Sequence, residues 1–453
     1  MNPLVIIIFG STGDLATRKL LPAVAKLHAQ HQIPDDVCIV ALGRRDFDTA
    51  AYWRHVISHT QQPGDIESIK SHVVYRQIDL ETCNDYDALG AWLDDHVDKH
   101  ATRLFYLALD PGLFPVVARH LNASRLVEQG NVSHAVVFEK PFGHDLASAR
   151  SVNQLLWTFF DEQQIYRIDH YLGKEMIQNI MMVRFANRIF EEIWHNRGIK
   201  SVKIIAKETE GVLGRGGYYD ASGALRDMVQ SHLLQMLSLI AMDVPLSYRS
   251  EDVKNEKVKV LEKLSFDKHA LLVGQYEGYT SEANIPDTSR TETFVFLKTF
   301  VNTPRFKGVP FYLMTGKKLD EKASLITIEF EETNEQRKWN LPLSTNKLHI
   351  KIAPEDGVGL VLNSKVPGLR DNVEQVELEY CIACHAVGNM SEAYEKLLLD
   401  IYEGHKTLFT RWDEIETAWS FIDKVGQHQD KPMVYRTYDE LRQAIMALTD
   451  EEM

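Results

Sequence analysis

The chain has 453 residues, 44% of them hydrophobic and 25% charged, with a formal net charge of -14. That length exceeds what one hydrophobic core usually serves, so two domains are expected. The acidic balance argues against a general affinity for nucleic acid, and an anionic substrate would need a local basic cluster working against the field of the whole molecule.

In chain order, residues 4–9 are an apolar run ending in glycine, 17–30 carry helical spacing, and 37–42 are apolar again, ending in Gly43-Arg44-Arg45. Residues 103–109, 134–138 and 164–168 read as further strands. Strands separated by helical stretches predict a parallel sheet with helices on its faces, here an N-terminal α/β domain of Rossmann type over residues 1–168. The pattern then changes. Residues 175–196 look helical, 201–207 look like a strand, and a glycine-rich turn leads into an apolar helix over 223–242. The pieces 293–300, 311–315, 325–330, 348–352, 359–363 and 373–380 read as strands with few helical spacers between them, and 392–423 as helix. A larger α+β domain with a mostly antiparallel sheet is therefore expected over 169–453, frayed at 450–453.

No apolar run reaches bilayer length and residues 1–9 lack the basic region of a signal peptide, so a cytoplasmic protein without a membrane partner is expected. Four cysteines are too few for a disulfide framework, and reduced thiols are expected. Cys381-Ile-Ala-Cys384-His385 has the spacing of a haem attachment site. The flanking residues alternate as in a half-buried strand, which would point the two thiols to opposite faces, so packing is the preferred reading and no metal site is expected.

Gly10-Ser11-Thr12-Gly13-Asp14-Leu15-Ala16 lies between the first strand and the first helix. Glycines there allow a tight turn and close approach to a pyrophosphate, and the helix start offers free N–H groups and a positive dipole end. At the end of the second strand, Arg44 and Arg45 suit a 2′-phosphate and favour NADP, while Asp46 leaves NAD open. Asp169-His170-Tyr171-Leu172-Gly173-Lys174 follows the last strand of this domain. If a helix starts near Asp169, His170 and Lys174 share one face and form the local basic cluster that a phosphate needs. Further on, Asp227 and His232 stand at the polar start of an apolar helix. Five residues apart on an α-helix is about 140° of rotation, so spacing alone does not bring those two to one ligand.

Arg167-Ile-Asp-His-Tyr-Leu-Gly-Lys-Glu175 resembles the signature of the glucose-6-phosphate dehydrogenase family. The glycine turn at 10–16, Glu139-Lys-Pro-Phe-Gly143, Gly214-Arg-Gly-Gly-Tyr-Tyr-Asp220, 226–235, Gly308-Val-Pro-Phe311, Thr315-Gly-Lys317 and Lys365-Val-Pro-Gly368 resemble it too, in the family's order. The resemblance implies oxidation of glucose 6-phosphate at C1 to the 1,5-lactone with hydride transfer to NADP, the first step of the oxidative pentose phosphate pathway. It also implies a homodimer or homotetramer assembled through the large sheet. By the same resemblance, His232 is the base and Asp169 its partner. His170, Tyr171 and Lys174 hold the phosphate, and Glu208, Asp227, Lys317 and Lys322 contact the sugar. Lys140 reaches both sugar and cofactor, and the bond before Pro141 is one that can be cis. Met314, Ala353, Ser231 and Asp110 depart from the family pattern. Ala353 in particular leaves another hexose 6-phosphate as an alternative substrate. A catalytically silent sugar-phosphate or NADP sensor is the alternative of a different class.

Overall fold

The computed structural model describes residues 2–60, 63–369, 372–382, 393–449 and 451. The chain divides into two compact units. The first comprises Met1–Gly173 with Ser391–Ile415, the second Lys174–Met390 with Glu416–Met453. A single cut at 168/169 therefore does not reproduce them, because a later segment returns to complete the first unit.

The first unit is built on β1 (Leu4–Phe9), β2 (Cys38–Gly43), β3 (Val73–Gln77), β4 (Thr102–Leu107), β5 (His134–Glu139) and β6 (Ile165–Ile168), in the order β3-β2-β1-β4-β5-β6. Every neighbouring pair is parallel. The order reverses between β1 and β4, and in such sheets ligands bind outside the carboxyl ends of the strands at that switch point. All six residues of β1 are buried, as a parallel strand covered on both faces requires. The helices α1 (Leu21–Ala29), α2 (Thr49–His59), α3 (Cys83–His96), α4 (Phe114–Ala123) and α5 (Leu146–Trp157) belong to this unit. β3 escaped the sequence reading because it is five residues long and only alternate positions are fully buried.

The second unit holds a nine-stranded sheet in the order β14-β13-β12-β11-β7-β10-β9-β8-β15. Its strands are β7 (Ile199–Lys207), β8 (Leu264–Tyr276), β9 (Phe294–Val301), β10 (Pro310–Gly316), β11 (Ala323–Phe330), β12 (Lys347–Ala353), β13 (Gly357–Lys365), β14 (Val373–Cys381) and β15 (Met433–Tyr435). Pairing is antiparallel except at β7–β10 and β8–β15. β8 was missed because its register shifts between Phe266 and Leu271, which interrupts the two-residue alternation.

Two helical expectations change in detail. The stretch 175–196 is a helix, α6 (Glu175–Phe185), followed by a short one, Arg188–Glu191. The stretch 392–423 is two helices, Ala393–Glu403 and Trp412–Gly426. Gly404 at φ 77 ends the first of these, with the His405 N–H bonded back to the Asp400 carbonyl at 2.7 Å. Cys38 and Cys83 are free thiols, whereas Cys381 is disulfide-bonded, a departure from uniformly reduced cysteines. β14 ends at Cys381, so the strand alternation invoked for the C-x-x-C-H segment stops there; Cys384 and His385 lie outside the described residues.

Candidate active site

In the first unit, Gly10 follows β1 at φ 74, where a Cβ would stand 2.3 Å from the Ala108 carbonyl oxygen. Both the left-handed backbone and this close approach demand glycine. The turn is closed by Ser11 N–H to Leu42 O (2.9 Å), Gly13 N–H to Gly10 O (3.0 Å) and Thr17 N–H to Gly13 O (3.1 Å). Thr12 and Leu15 are half-buried, while Gly13 and Asp14 are exposed. Ser11 is fully buried and its hydroxyl has no partner among the described residues. Buried hydroxyls are normally satisfied, so this one marks a place for a polar ligand group. A nicotinamide dinucleotide fits these residues. Arg44 is exposed at the end of β2, its carbonyl held by the Gln77 amide at 3.1 Å.

Lys140 directly follows β5 and is joined to Pro141 by a cis bond. The Glu139 carboxylate just before it accepts the hydroxyls of Tyr106 (2.5 Å) and Tyr394 (3.2 Å). Burial pushes the Glu139 carboxyl up, against the two hydroxyls and the Lys140 charge, which favour its ionised form.

Asp169 is 3% exposed just past β6. Its Oδ1 accepts the Tyr171 N–H at 2.9 Å and its carbonyl the Leu172 N–H at 3.0 Å. The rings of His170 and Tyr171 meet edge-on, 5.2 Å apart. A helix beginning near Asp169 is therefore corrected. The aspartate side chain captures the backbone in a turn, and α6 begins only at Glu175 with Lys174 as its N-cap. The helical i, i+4 relation between His170 and Lys174 does not exist. Lys174 is half-buried in the second unit, and its charge acts on the half-buried Asp356 carboxyl, which desolvation raises and Lys174 lowers.

In the second unit the parallel pairing of β7 with β10 aligns Lys207 with Gly316. The residues that follow, Glu208 and Lys317, therefore emerge side by side and form an ion pair. The Glu208 N–H also bonds to Gly316 O at 2.9 Å, and Lys317 Nζ lies 4.9 Å from the centre of the Tyr219 ring. Burial first, then the carboxylates of Asp227 and Glu292 and more weakly Glu208, push the Tyr219 phenol far up. Tyr218 donates to Asp227 Oδ1 at 3.3 Å. Both tyrosines come from the motif at 214–220, where sequence reading gave neither a role. Lys322 is exposed in the β10–β11 connection and stands apart from these contacts.

Residues Leu225–Leu233 form a π-helix that passes directly into the α-helix Leu234–Ala241. The Leu234 N–H reaches back five residues to the Val229 carbonyl. In a π-helix that i→i+5 bond brings positions five apart into line, so the expected 140° separation of Asp227 and His232 is replaced by near-register. His232 is 1% exposed, and the Ser231 hydroxyl bonds to Asp227 O at 3.1 Å. Met314 is buried in β10 and accepts the Tyr438 hydroxyl on its sulfur at 3.8 Å. Asp110 caps its own turn through the Gly112 N–H at 2.8 Å, and Ala353 ends β12 before a cis bond to Pro354.

Two family models match, the NAD binding domain of glucose-6-phosphate dehydrogenase over residues 7–179 and the C-terminal domain of glucose-6-phosphate dehydrogenase over residues 181–451. The chain belongs to this family. It is 39% identical to the glucose-6-phosphate 1-dehydrogenase of Bacillus subtilis (strain 168) over 445 residues, 93% of this chain and 91% of the relative. It is 38% identical to that of Streptococcus pneumoniae over 446 residues, 94% and 90% of the two chains. A solved glucose-6-phosphate dehydrogenase in complex with its substrate glucose-6-phosphate superposes with a TM-score of 0.91 at 31% identity, covering 100% of this chain and 98% of that one. Among the described residues no helix is long and apolar enough to cross a membrane.

Proposed function

We propose that the chain oxidises D-glucose 6-phosphate at C1 to 6-phospho-D-glucono-1,5-lactone, with NADP as hydride acceptor. Family membership supports the reaction, and the observation that supports the site is the π-helix at Leu225–Leu233, whose slower turn brings Asp227 and His232 toward one face of the helix. In this reading His232 removes the proton from the C1 hydroxyl while the C1 hydride departs with its electron pair. A carboxylate partner, Asp169, orients the imidazole and stabilises its protonated form. His170, Tyr171 and Lys174 hold the 6-phosphate. Glu208, Asp227, Lys317 and Lys322 hold sugar hydroxyls, and Lys140 spans sugar and cofactor. The turn Gly10, Ser11, Thr12, Gly13, Asp14 and Leu15 holds the pyrophosphate, and Arg44 selects the 2′-phosphate. The dinucleotide, when bound, supplies the nicotinamide ring that accepts the hydride.

The test is the rate of absorbance change at the nicotinamide band with glucose, galactose and glucosamine 6-phosphates, each with NADP and with NAD. A faster rate on another hexose 6-phosphate would transfer the assignment to that sugar, which Ala353 keeps in view. His232→Asn is expected to cut kcat by at least a factor of about 100, the usual contribution of a general base. Glucose 6-phosphate should still bind that variant; a native protein with no rate to lose would favour the sensor reading. The half-exposed Leu378 and Tyr380 on the edge strand β14 support assembly through the large sheet as a homodimer or homotetramer, which sedimentation of the purified chain reads out. A cytoplasmic location is part of the same proposal, checked by fractionation.

A further inference from the structure

His55 lies half-buried on α2, and its two ring nitrogens each engage a partner. Nε2 stands 3.0 Å from the Thr12 carbonyl oxygen in the glycine turn, and Nδ1 stands 3.3 Å from Nη1 of Arg45. A carbonyl only accepts and a guanidinium only donates. Those partners assign the neutral tautomer with its proton on Nε2, leaving Nδ1 as the acceptor for Arg45. The main chain around this link is pinned as well. Tyr75 OH donates to Arg45 O at 2.7 Å, and the Phe47 N–H bonds to the same carbonyl at 3.0 Å. The Phe47 ring lies under the Arg45 guanidinium at 5.8 Å and beside the His55 ring at 5.8 Å. Arg45 is exposed, yet its charged end is two hydrogen bonds away from the backbone of the dinucleotide turn.

We propose that His55 is a positioning residue for cofactor selection, tying Arg45 to Thr12 so that a second guanidinium, one residue beyond Arg44, meets the 2′-phosphate of NADP. The inference rests on the NADP reading above and deepens it. An arginine free in solvent loses rotamer freedom when it grips a phosphate. One already held by an acceptor and a ring loses less, so the tether strengthens binding without touching the ligand itself. NAD carries a hydroxyl where NADP carries the phosphate, so the tether is indifferent to NAD. That asymmetry separates positioning from a general structural role for His55.

The experiment measures KM and kcat of the full-length enzyme for NADP and NAD in the wild type, His55→Phe, His55→Gln, Arg45→Leu and the double variant Arg45→Leu/His55→Phe. His55→Phe should raise the KM for NADP about tenfold, the scale of one charge-assisted hydrogen bond, with kcat and the KM for NAD within about twofold. His55→Gln presents an amide N–H to Thr12 and an amide oxygen to Arg45, and should restore most of the wild-type preference. The double variant should resemble Arg45→Leu alone, because the histidine acts through the arginine. A wild-type enzyme that prefers NADP while His55→Phe leaves the preference unchanged, or weakens both cofactors equally, overturns the role of His55 and leaves the NADP reading standing. A wild-type enzyme with no preference for NADP overturns both.

Discussion

His134 shows how a single side chain carries a stability signature. It opens β5, and its Nδ1 accepts the Glu128 N–H at 3.1 Å, which only the neutral ring can do. Burial, assisted by the nearby Arg103 charge, lowers its pKa from 6.5 to about 4. Between those values the unfolded chain takes up a proton that the folded chain refuses. The contribution to stability is therefore complete above pH 6.5 and is lost as pH falls toward about 4. The urea midpoint is expected to fall over that interval, and His134→Gln, which keeps an acceptor and does not titrate, should flatten the dependence. Legibility also varies residue by residue. Gly10 could be read from sequence because its constraint is local. Asp169 could not be read correctly, because an aspartate that captures the N–H two residues on resembles a helix N-cap until the backbone is seen.

At the scale of elements, the helix that carries His232 is held at both ends. At its start the Leu225 N–H bonds to Glu292 Oε1 and the Ala224 N–H to Glu292 O, each at 3.0 Å. Gly223, at φ 69, leaves room for that carboxylate, which a Cβ would approach to 2.4 Å. At its end the buried Arg184 donates to Leu239 O at 2.5 Å and Met242 O at 2.7 Å, and Trp194 Nε1 donates to Ile240 O at 2.9 Å. These carbonyls point out of the last turn and have no helical partner, and a cation there also meets the negative end of the helix dipole. Arg184→Met keeps the bulk and removes the donors, so it is expected to lower unfolding stability by about 3 kcal/mol in chemical denaturation. A loss below about 1 kcal/mol would mean that water replaces the guanidinium at those carbonyls. The apolar helix itself was plain from its composition. The π geometry of its first nine residues was not, because sequence patterns are read with a period of 3.6.

At the scale of the whole chain, the first unit is closed by a segment more than two hundred residues downstream of its last strand. Leu397, Leu398, Ile401 and Phe409 are buried in the same core as Leu4, Ile6, Leu20 and Val24. Lys26 pairs with the buried Glu395 at 2.7 Å, and Ile168 bridges Phe409 at the end of β6. Leu397→Ala is therefore expected to cost about 2–5 kcal/mol, the range for a buried leucine. The loss should appear as reduced amide-exchange protection in β1 and α1, although the substitution lies in neither. Unchanged protection there would separate the returning segment from the core that it completes.

The sequence by itself determined the parallel α/β start, the glycine turn at 10–13, the apolar helix before Met242 and most strands of the second sheet. Each of these rests on contacts or backbone preferences within a few residues, which leave a periodic or compositional trace. Only the tertiary structure decided that Glu208 and Lys317 meet, since that depends on β7 lying parallel to β10 across a hundred residues of chain. It also decided that Ser391–Ile415 belongs with the first unit and that π pitch turns Asp227 and His232 toward one helix face. Strand order, chain return and helical pitch are set by the packing of distant segments, and no local pattern of residues records them.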